Sequence, residues 1–190
     1  FLFYLFWELQ LIPMFFLIGM WGYERRIFAT LKFVMFSIAG SLLMLIALIV
    51  LYLLHGEQTG VYTFSLMRLS QTTLAPGLEN WLYAAFLLSF AIKIPMLPVH
   101  TWLPDAHTEA PTAGSVILAG LLLKTGVYAL FRFAFALFPT AAHRSIPLLL
   151  ILGLAGIFYA AWIAFAQEDA KRMVAYSSIA HMGLIVIGLA

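Results

Sequence analysis

Four ionisable side chains stand where a chain this apolar has little reason to place any: Glu8, Lys93, Lys124 and His181. Each is embedded in a run such as Phe6-Trp7-Glu8-Leu9 or Leu121-Leu122-Leu123-Lys124-Thr125-Gly126, with no second charge nearby. Inserting such a group into a membrane span costs about 2.5–3.5 kcal/mol, so these residues usually face protein or water and mark pathways. A carboxylate, two ammonium groups and an imidazole share one capability, which is to take up and release a proton.

Each residue has a chemical and a structural reading. Glu8 lies one turn before Pro13, whose missing N–H frees a backbone carbonyl inside the helix. It reads as a proton-exchanging carboxylate working against a nearby Lys, or as interhelical glue close to a membrane face. Lys93 runs into Ile94-Pro95-Met96-Leu97-Pro98. Pro95 and Pro98 cannot both continue a regular helix, which predicts a break from Lys93 to Pro98 with unpaired carbonyls favouring an ammonium and holding water. The alternative is a snorkelling Lys at a span end. Lys124 is mid-span, too deep to reach either face, on a helix that Gly114, Gly120 and Gly126 thin for close packing. A Lys desolvated there suits a relay, against a purely structural role. His181 follows Ser177 and Ser178 by four and three residues, so the three can share a helix face and carry a hydrogen-bonded chain, or His181 simply packs. The mixture His100, Asp105, His107 and Glu109 raises a metal site, but zinc-like spacings are missing and prolines at 98, 104 and 111 keep the stretch irregular. Helix capping and a hinge at the break are favoured there, with His100 supporting the relay.

The elements that must position these groups follow from composition. At 64% hydrophobic and 9% charged, the 190 residues lie far from a water-soluble average of roughly half apolar and a quarter charged. A span needs about 20 apolar residues, which divides the chain into about six stretches: Phe1 to Trp21, Leu31 to Leu54, Trp81 to His100, Ala110 to Phe138, Ile146 to Ala166 and Met173 to Ala190. The runs are continuous where spanning strands would alternate, so the expected fold is an all-α polytopic transmembrane bundle, a single domain over 1–190. Arg25, Arg26, Lys32, Lys171 and Arg172 fall on one side of that topology and Arg68, Arg132 and Arg144 on the other, which places the first set in the cytoplasm. The basic residues form no phosphate-tracking stripe, which excludes nucleic acid as a partner. With no cysteine, the chain offers no thiolate-held zinc or iron–sulfur site, so redox chemistry is expected on other subunits. Opening on Phe1-Leu2-Phe3-Tyr4 and closing inside an apolar run, it is expected to be an internal piece of a longer protein.

Taken together, Phe6-Trp7-Glu8-Leu9 with Ile12-Pro13-Met14, and Lys93-Ile94-Pro95 leading to Leu97-Pro98-Val99-His100-Thr101-Trp102-Leu103-Pro104-Asp105-Ala106-His107, resemble the antiporter-like subunits of respiratory complex I, NADH–quinone oxidoreductase. Glu109 to Val116 leading to Lys124, and Asp169-Ala170-Lys171-Arg172 leading to Ala175-Tyr176-Ser177-Ser178-Ile179-Ala180-His181, extend the likeness over nearly the whole chain. The stretch from Trp7 to Gly22 is similar to the M-type chains, counterparts of mitochondrial subunit four. The Pro-His-Trp-Leu-Pro region is shared with cation/proton antiporters.

The resemblance implies a fourteen-helix fold of two inverted repeats, of which this chain would hold the fifth to tenth helices. It implies that Glu8 is the carboxylate of the first half-channel, Lys93 its broken-helix lysine, Lys124 the central lysine, and His181 a residue on the route to the second half. The implied activity is that of a translocase subunit with no redox centre of its own. NADH, FMN, iron–sulfur clusters and quinone are expected on other subunits, the partners being other membrane-arm subunits, the lipid bilayer and protons. The implied location is the bacterial inner membrane, or the mitochondrial one. Two alternatives stand: a subunit of a multisubunit sodium/proton antiporter or membrane-bound hydrogenase, and a membrane scaffold whose charges only join helices.

Overall fold

The computed structural model describes all residues, 1–190, and contains helices and turns with no strand. In lipid every backbone N–H and C=O must be satisfied internally, and a helix does this within its own segment. In chain order the helices are α1 Leu2–Trp21, α2 Arg26–Thr59, a single turn α3 Leu66–Leu69, α4 Pro76–Lys93, α5 Trp102–Glu109, α6 Thr112–Leu137, α7 Pro139–Phe165 and α8 Ala170–Leu189.

Helices α1, α2, α6, α7 and α8 are long and apolar enough to cross a membrane, which makes five. The stretch expected to span from Trp81 to His100 is not one helix. Helix α4 ends at Lys93, turns occupy 94–101, and α5 restarts at Trp102. Several helices begin before the apolar runs because hydropathy does not decide where hydrogen bonding starts. Helices α4 and α7 begin at Pro76 and Pro139, where a proline in the first turn lacks only an N–H that would have no helical partner anyway. Helix α2 continues past Leu54 to Thr59 and is capped by Gly60, whose left-handed φ of 73° lets its N–H return to the Gly56 carbonyl at 2.9 Å.

Two helices carry irregularities that bear on the site. Helix α1 is really Leu2–Leu9 and Leu11–Trp21 joined at Gln10. Pro13 cannot donate to Leu9, so the ladder loosens there, and the Gln10 side chain donates to the Trp7 carbonyl at 3.0 Å. Helix α6 contains two wide π turns, Leu118–Leu122 and Leu130–Ala134, on either side of the segment that carries Lys124. Such turns leave backbone groups loosely held and recur at functional sites.

The long helix α2 packs against α1, α4 and α5, and α5 in turn lies against α8, which pairs with α7. Phe33, Phe90, Trp102 and Phe138 are fully buried between these elements, whereas Phe158, Trp162 and Phe165 of α7 point outward, as suits a lipid-facing surface. Helices α7 and α8 meet at glycines. A Cβ on Gly183 would lie 2.7 Å from the Gly153 carbonyl oxygen, and one on Gly153 would lie 2.9 Å from the Gly183 oxygen. Small residues matter here because lipid supplies no hydrophobic drive to bring helices together. Gly183→Leu must therefore push α7 and α8 apart at a cost of about 1–3 kcal/mol. The expected result is a lower yield of folded chain in membranes and a lower melting temperature in detergent; an unchanged melting temperature would show that the contact is loose.

Candidate functional site

Lys93 is the last residue of α4 and is 1% exposed, with no hydrogen-bond partner for its Nζ among the protein's own groups. Its ammonium lies 5.1 Å from the centroid of the Trp7 ring and 5.9 Å from that of Phe33, so two π faces, one from α1 and one from α2, flank the charge. Trp7 reaches this position by packing edge-on against Phe90 of α4, at 5.7 Å between centroids.

Glu8 follows Trp7 by one residue, about 100° around the helix, so its side chain leaves α1 in a different direction from the ring that covers Lys93. Its Oε1 is buried without a hydrogen-bond partner. No ion pair closes between them, since the side-chain pairs within 4.0 Å are Lys32–Asp105 and Arg172–Asp105. Glu8 is also the one polar side chain in an apolar groove between α1 and α2. Two more buried hydroxyls without partners, Ser37 and Ser89, sit in this region. Ser89 lies one turn before Lys93, and its backbone would meet a Cβ on Gly40 of α2 at 3.3 Å. Ser37 lies between Gly40 and Phe33 on α2. Neither serine was singled out from the sequence, because a lone Ser in an apolar run has no distinguishing signal there.

The break differs from the expected one in its hydrogen bonding. Carbonyls beside Lys93 were expected to be free, but Ile94 N–H donates to Phe90 O at 2.7 Å, Met96 N–H to Ala91 O at 2.8 Å, and Trp102 Nε1 to Ile92 O at 2.8 Å. Pro95 and Pro98 end the helix, and the Ile94 and Met96 amides within the break and the Trp102 indole beyond it close its open carbonyls. Trp102, fully buried, is thus a site residue that sequence reasoning passed over. His100, also buried, has an unpartnered Nδ1 and stands perpendicular to the Tyr159 ring at 5.4 Å.

Lys124, expected mid-span and desolvated, lies on the face of α6 turned away from the break, with Leu121, Tyr128 and Phe131. Gly126 explains this. A Cβ there would fall 2.8 Å from Ile94 Cγ1 and 3.2 Å from Lys93 Cβ, so Gly126 faces the break. A residue two positions earlier is rotated by about 200° and must face away. Nζ of Lys124 donates to the carbonyl of Ala119 in the first wide turn. Of the other glycines read as packing sites, Gly114 meets Ala110 and Pro111 while Gly120 faces nothing within 4 Å.

His181 is exposed, its Nδ1 3.5 Å from the Ser177 hydroxyl and 2.7 Å from the Ser177 carbonyl oxygen. Ser178 does not join them, because its hydroxyl turns back to the Val174 carbonyl at 3.0 Å.

The comparisons with known proteins bear on this arrangement. The family model described as NADH:quinone oxidoreductase/Mrp antiporter, transmembrane, matches residues 1–190. The chain belongs to that family. NADH-quinone oxidoreductase subunit M of Escherichia coli strain K12 is 49% identical over 194 residues, covering 100% of this chain and 38% of that protein. The subunit M of Pseudomonas aeruginosa is 50% identical over 195 residues, with the same coverage of 100% and 38%. Among solved structures, a chain of respiratory complex I from Thermus thermophilus with bound NADH is 40% identical at a TM-score of 0.87, covering 98% of this chain and 39% of that one. A chain of the Mrp complex from Dietzia sp. is 26% identical at a TM-score of 0.80, covering 98% of this chain and 20% of that one. The chain thus spans about 38% of the length of the curated relatives it matches.

One end of this family member gathers the charges assigned to a single side of the membrane. Arg25, Asp105, Glu109 and Arg172 line one small cavity, Glu109 Oε2 accepts from Arg25 N–H at 2.9 Å, and the Lys171 ammonium stands 4.3 Å over the Tyr23 ring. Single cysteines at 25 and 172 should therefore both react with an impermeant maleimide from the same face of sealed vesicles. Labelling from opposite faces would overturn the shared side that this cavity gives them.

Proposed function

We propose that residues 1–190 form one transmembrane unit of a proton-translocating subunit of NADH–quinone oxidoreductase, moving protons by way of Glu8, Lys93, Lys124 and His181. Electron transfer from NADH through FMN and iron–sulfur clusters to quinone takes place, in this reading, on other subunits. The observation that carries the proposal is the Lys93 ammonium, fully buried at a helix break with no partner of its own and a carboxylate, Glu8, beside it but not bonded to it. A structural salt bridge would be closed, because leaving a buried charge without hydrogen bonds costs several kcal/mol unless something else repays it. Groups left open in this way are satisfied by water, and a water-linked row of titratable groups is what proton transfer requires. Identity near one half to subunit M proteins, against about a quarter to the Mrp chain, favours the quinone-oxidoreductase assembly over an antiporter. The partners are then the other membrane-arm subunits, and the location is a bacterial inner membrane.

The chemistry is transfer of H+ with no other bond made or broken. Attraction between the Glu8 carboxylate and the Lys93 ammonium stabilises the state in which both are charged. Separating the two weakens that state, so the ammonium releases its proton toward α6 and Lys124 while Glu8 takes another from the cytoplasmic side. A bias of one pKa unit corresponds to about 1.4 kcal/mol, which a small displacement in a low-dielectric site can supply. In a protein of its relatives' length, further helices would cover the outward faces bearing Lys124 and His181 and complete the path.

Glu8→Gln, Lys93→Met and Lys124→Met are each expected to cut proton uptake and coupled quinone reduction at least about tenfold in sealed vesicles, with subunit content unchanged. Glu8→Asp, which keeps the charge, should retain most of the rate. Wild-type pumping by Glu8→Gln or Lys93→Met would reduce these residues to helix contacts, and loss of assembly in place of activity would support a scaffold. Replacing Pro95 and Pro98 together with Ala should extend α4 and slow pumping several-fold while the complex still assembles; an unchanged rate would make the break mechanistically silent.

A further inference from the structure

Helix α5 is a short rigid rod of two turns fastened at both ends. Near its start the Trp102 indole donates to the Ile92 carbonyl at 2.8 Å, one residue from Lys93. One turn on, the Asp105 carboxylate is shared between two helices, with Oδ2 2.6 Å from Lys32 Nζ of α2 and Oδ1 3.8 Å from Arg172 of α8. Both partners are only partly exposed, with side-chain exposures of 23% and 41% against 15% for Asp105, so water screens these charges incompletely. At the far end, Lys171 of α8 donates to the Ala110 carbonyl at 2.7 Å, and Tyr23 N–H donates to the Glu109 carbonyl at 2.9 Å.

Building on the reading of Lys93 as a proton-carrying group, we infer that Asp105 is a positioning residue: by dividing its carboxylate between Lys32 and Arg172 it sets where α5 lies, and through Trp102 it sets the backbone that ends at Lys93. The two contacts of Asp105 are unequal, a hydrogen-bonded ion pair at 2.6 Å against a looser ionic approach at 3.8 Å. A shift of α8 toward or away from α2 changes how the carboxylate is shared, and α5 follows its charge. Trp102 and Asp105 are three residues apart and lie on one side of the helix, so the rod moves both together. Neither residue touches the proton.

The test uses the full-length chain in its assembled complex, in sealed vesicles. Asp105→Asn keeps the shape and removes the charge, and should slow proton uptake about tenfold or more per assembled complex, as misplacing a reacting group commonly does. Asp105→Glu should recover at least half of the rate, which a residue serving only to fill space would not do. Trp102→Phe should give the same defect, and the double variant Asp105→Asn with Trp102→Phe should be no slower than the slower single variant, because one rod is released in either case. Multiplying defects would overturn the inference, as would wild-type rates in Asp105→Asn or a defect confined to the amount of assembled complex. Lys93→Met in parallel separates the two levels. If Lys93→Met pumps normally, the proton-carrying reading itself fails; if it is inactive while Asp105→Asn is unaffected, only the positioning role is lost.

Discussion

A lysine ammonium enclosed by protein, with no anion bonded to it, is the constraint around which this structure is arranged. The Lys93 Nζ lies against Trp7 and Phe33, and Glu8 is held at a distance from it. A cation over two rings keeps part of the stabilisation lost on leaving water, which makes the charge tolerable without fixing it to a single partner. For that to happen, α1 must bring Trp7 to α4, α2 must bring Phe33, and α4 must stop at Lys93 so that the side chain leaves the helix end inside the bundle. The interruption of α1 at Gln10, the close approach of α2 and α4 at Gly40, and the contact of Gly126 with Ile94 all lie around this one enclosure.

The break shows how a membrane protein interrupts a helix without leaving its backbone open to lipid. Pro95 removes one donor, yet the Phe90, Ala91 and Ile92 carbonyls each receive a hydrogen bond, the last from a side chain ten residues on. Irregular backbone at depth is tolerated where protein supplies partners in this way. The interruption therefore becomes a joint between two rods. Its polar resources go to aligning the rods, and the lysine at the joint is left free.

What the sequence disclosed follows from which signals are local. The helical class, the end of α4 at Lys93 and the shared end of Arg25 and Arg172 were readable, because apolar length, proline chemistry and loop charge are properties of short segments. Glu8 and Lys93 were legible as neighbours only through resemblance, and the structure does place them in one region. The role of Trp102 was hidden because an indole's partner lies across the fold, and Ser37 and Ser89 were hidden because burial is decided by which helix covers them. The directions in which Lys124 and His181 point were hidden for a related reason: depth along a helix can be counted from the sequence, but direction around it depends on which residue meets the neighbour. Gly126 decides that direction for α6, and the wide turn at Leu118–Leu122 could not have been read from Leu-Ala-Gly-Leu-Leu at all.

In the proposed relay, the direction of Lys124 constrains how it can be coupled to Lys93. With Gly126 against Lys93 and Lys124 rotated to the far side, the two ammonium groups lie on opposite faces of α6. A proton path between them has to pass around the helix or beside it, since the backbone itself is hydrogen-bonded. Mechanical contact is more direct. Any displacement of Ile94 and Lys93 presses on Gly126, where there is no room for even a Cβ, and interiors this closely packed transmit a shift without absorbing it. The segment Leu123–Ala129 is bounded by wide turns at both ends, which are the places where a helix yields most easily. A movement at the break can therefore shift this segment while the rest of α6 stays in place, carrying the Lys124 ammonium relative to the Ala119 carbonyl that holds it. The two lysines would then be linked through the position of one helical segment, with the charge at the break and the charge on the outer face responding to the same displacement.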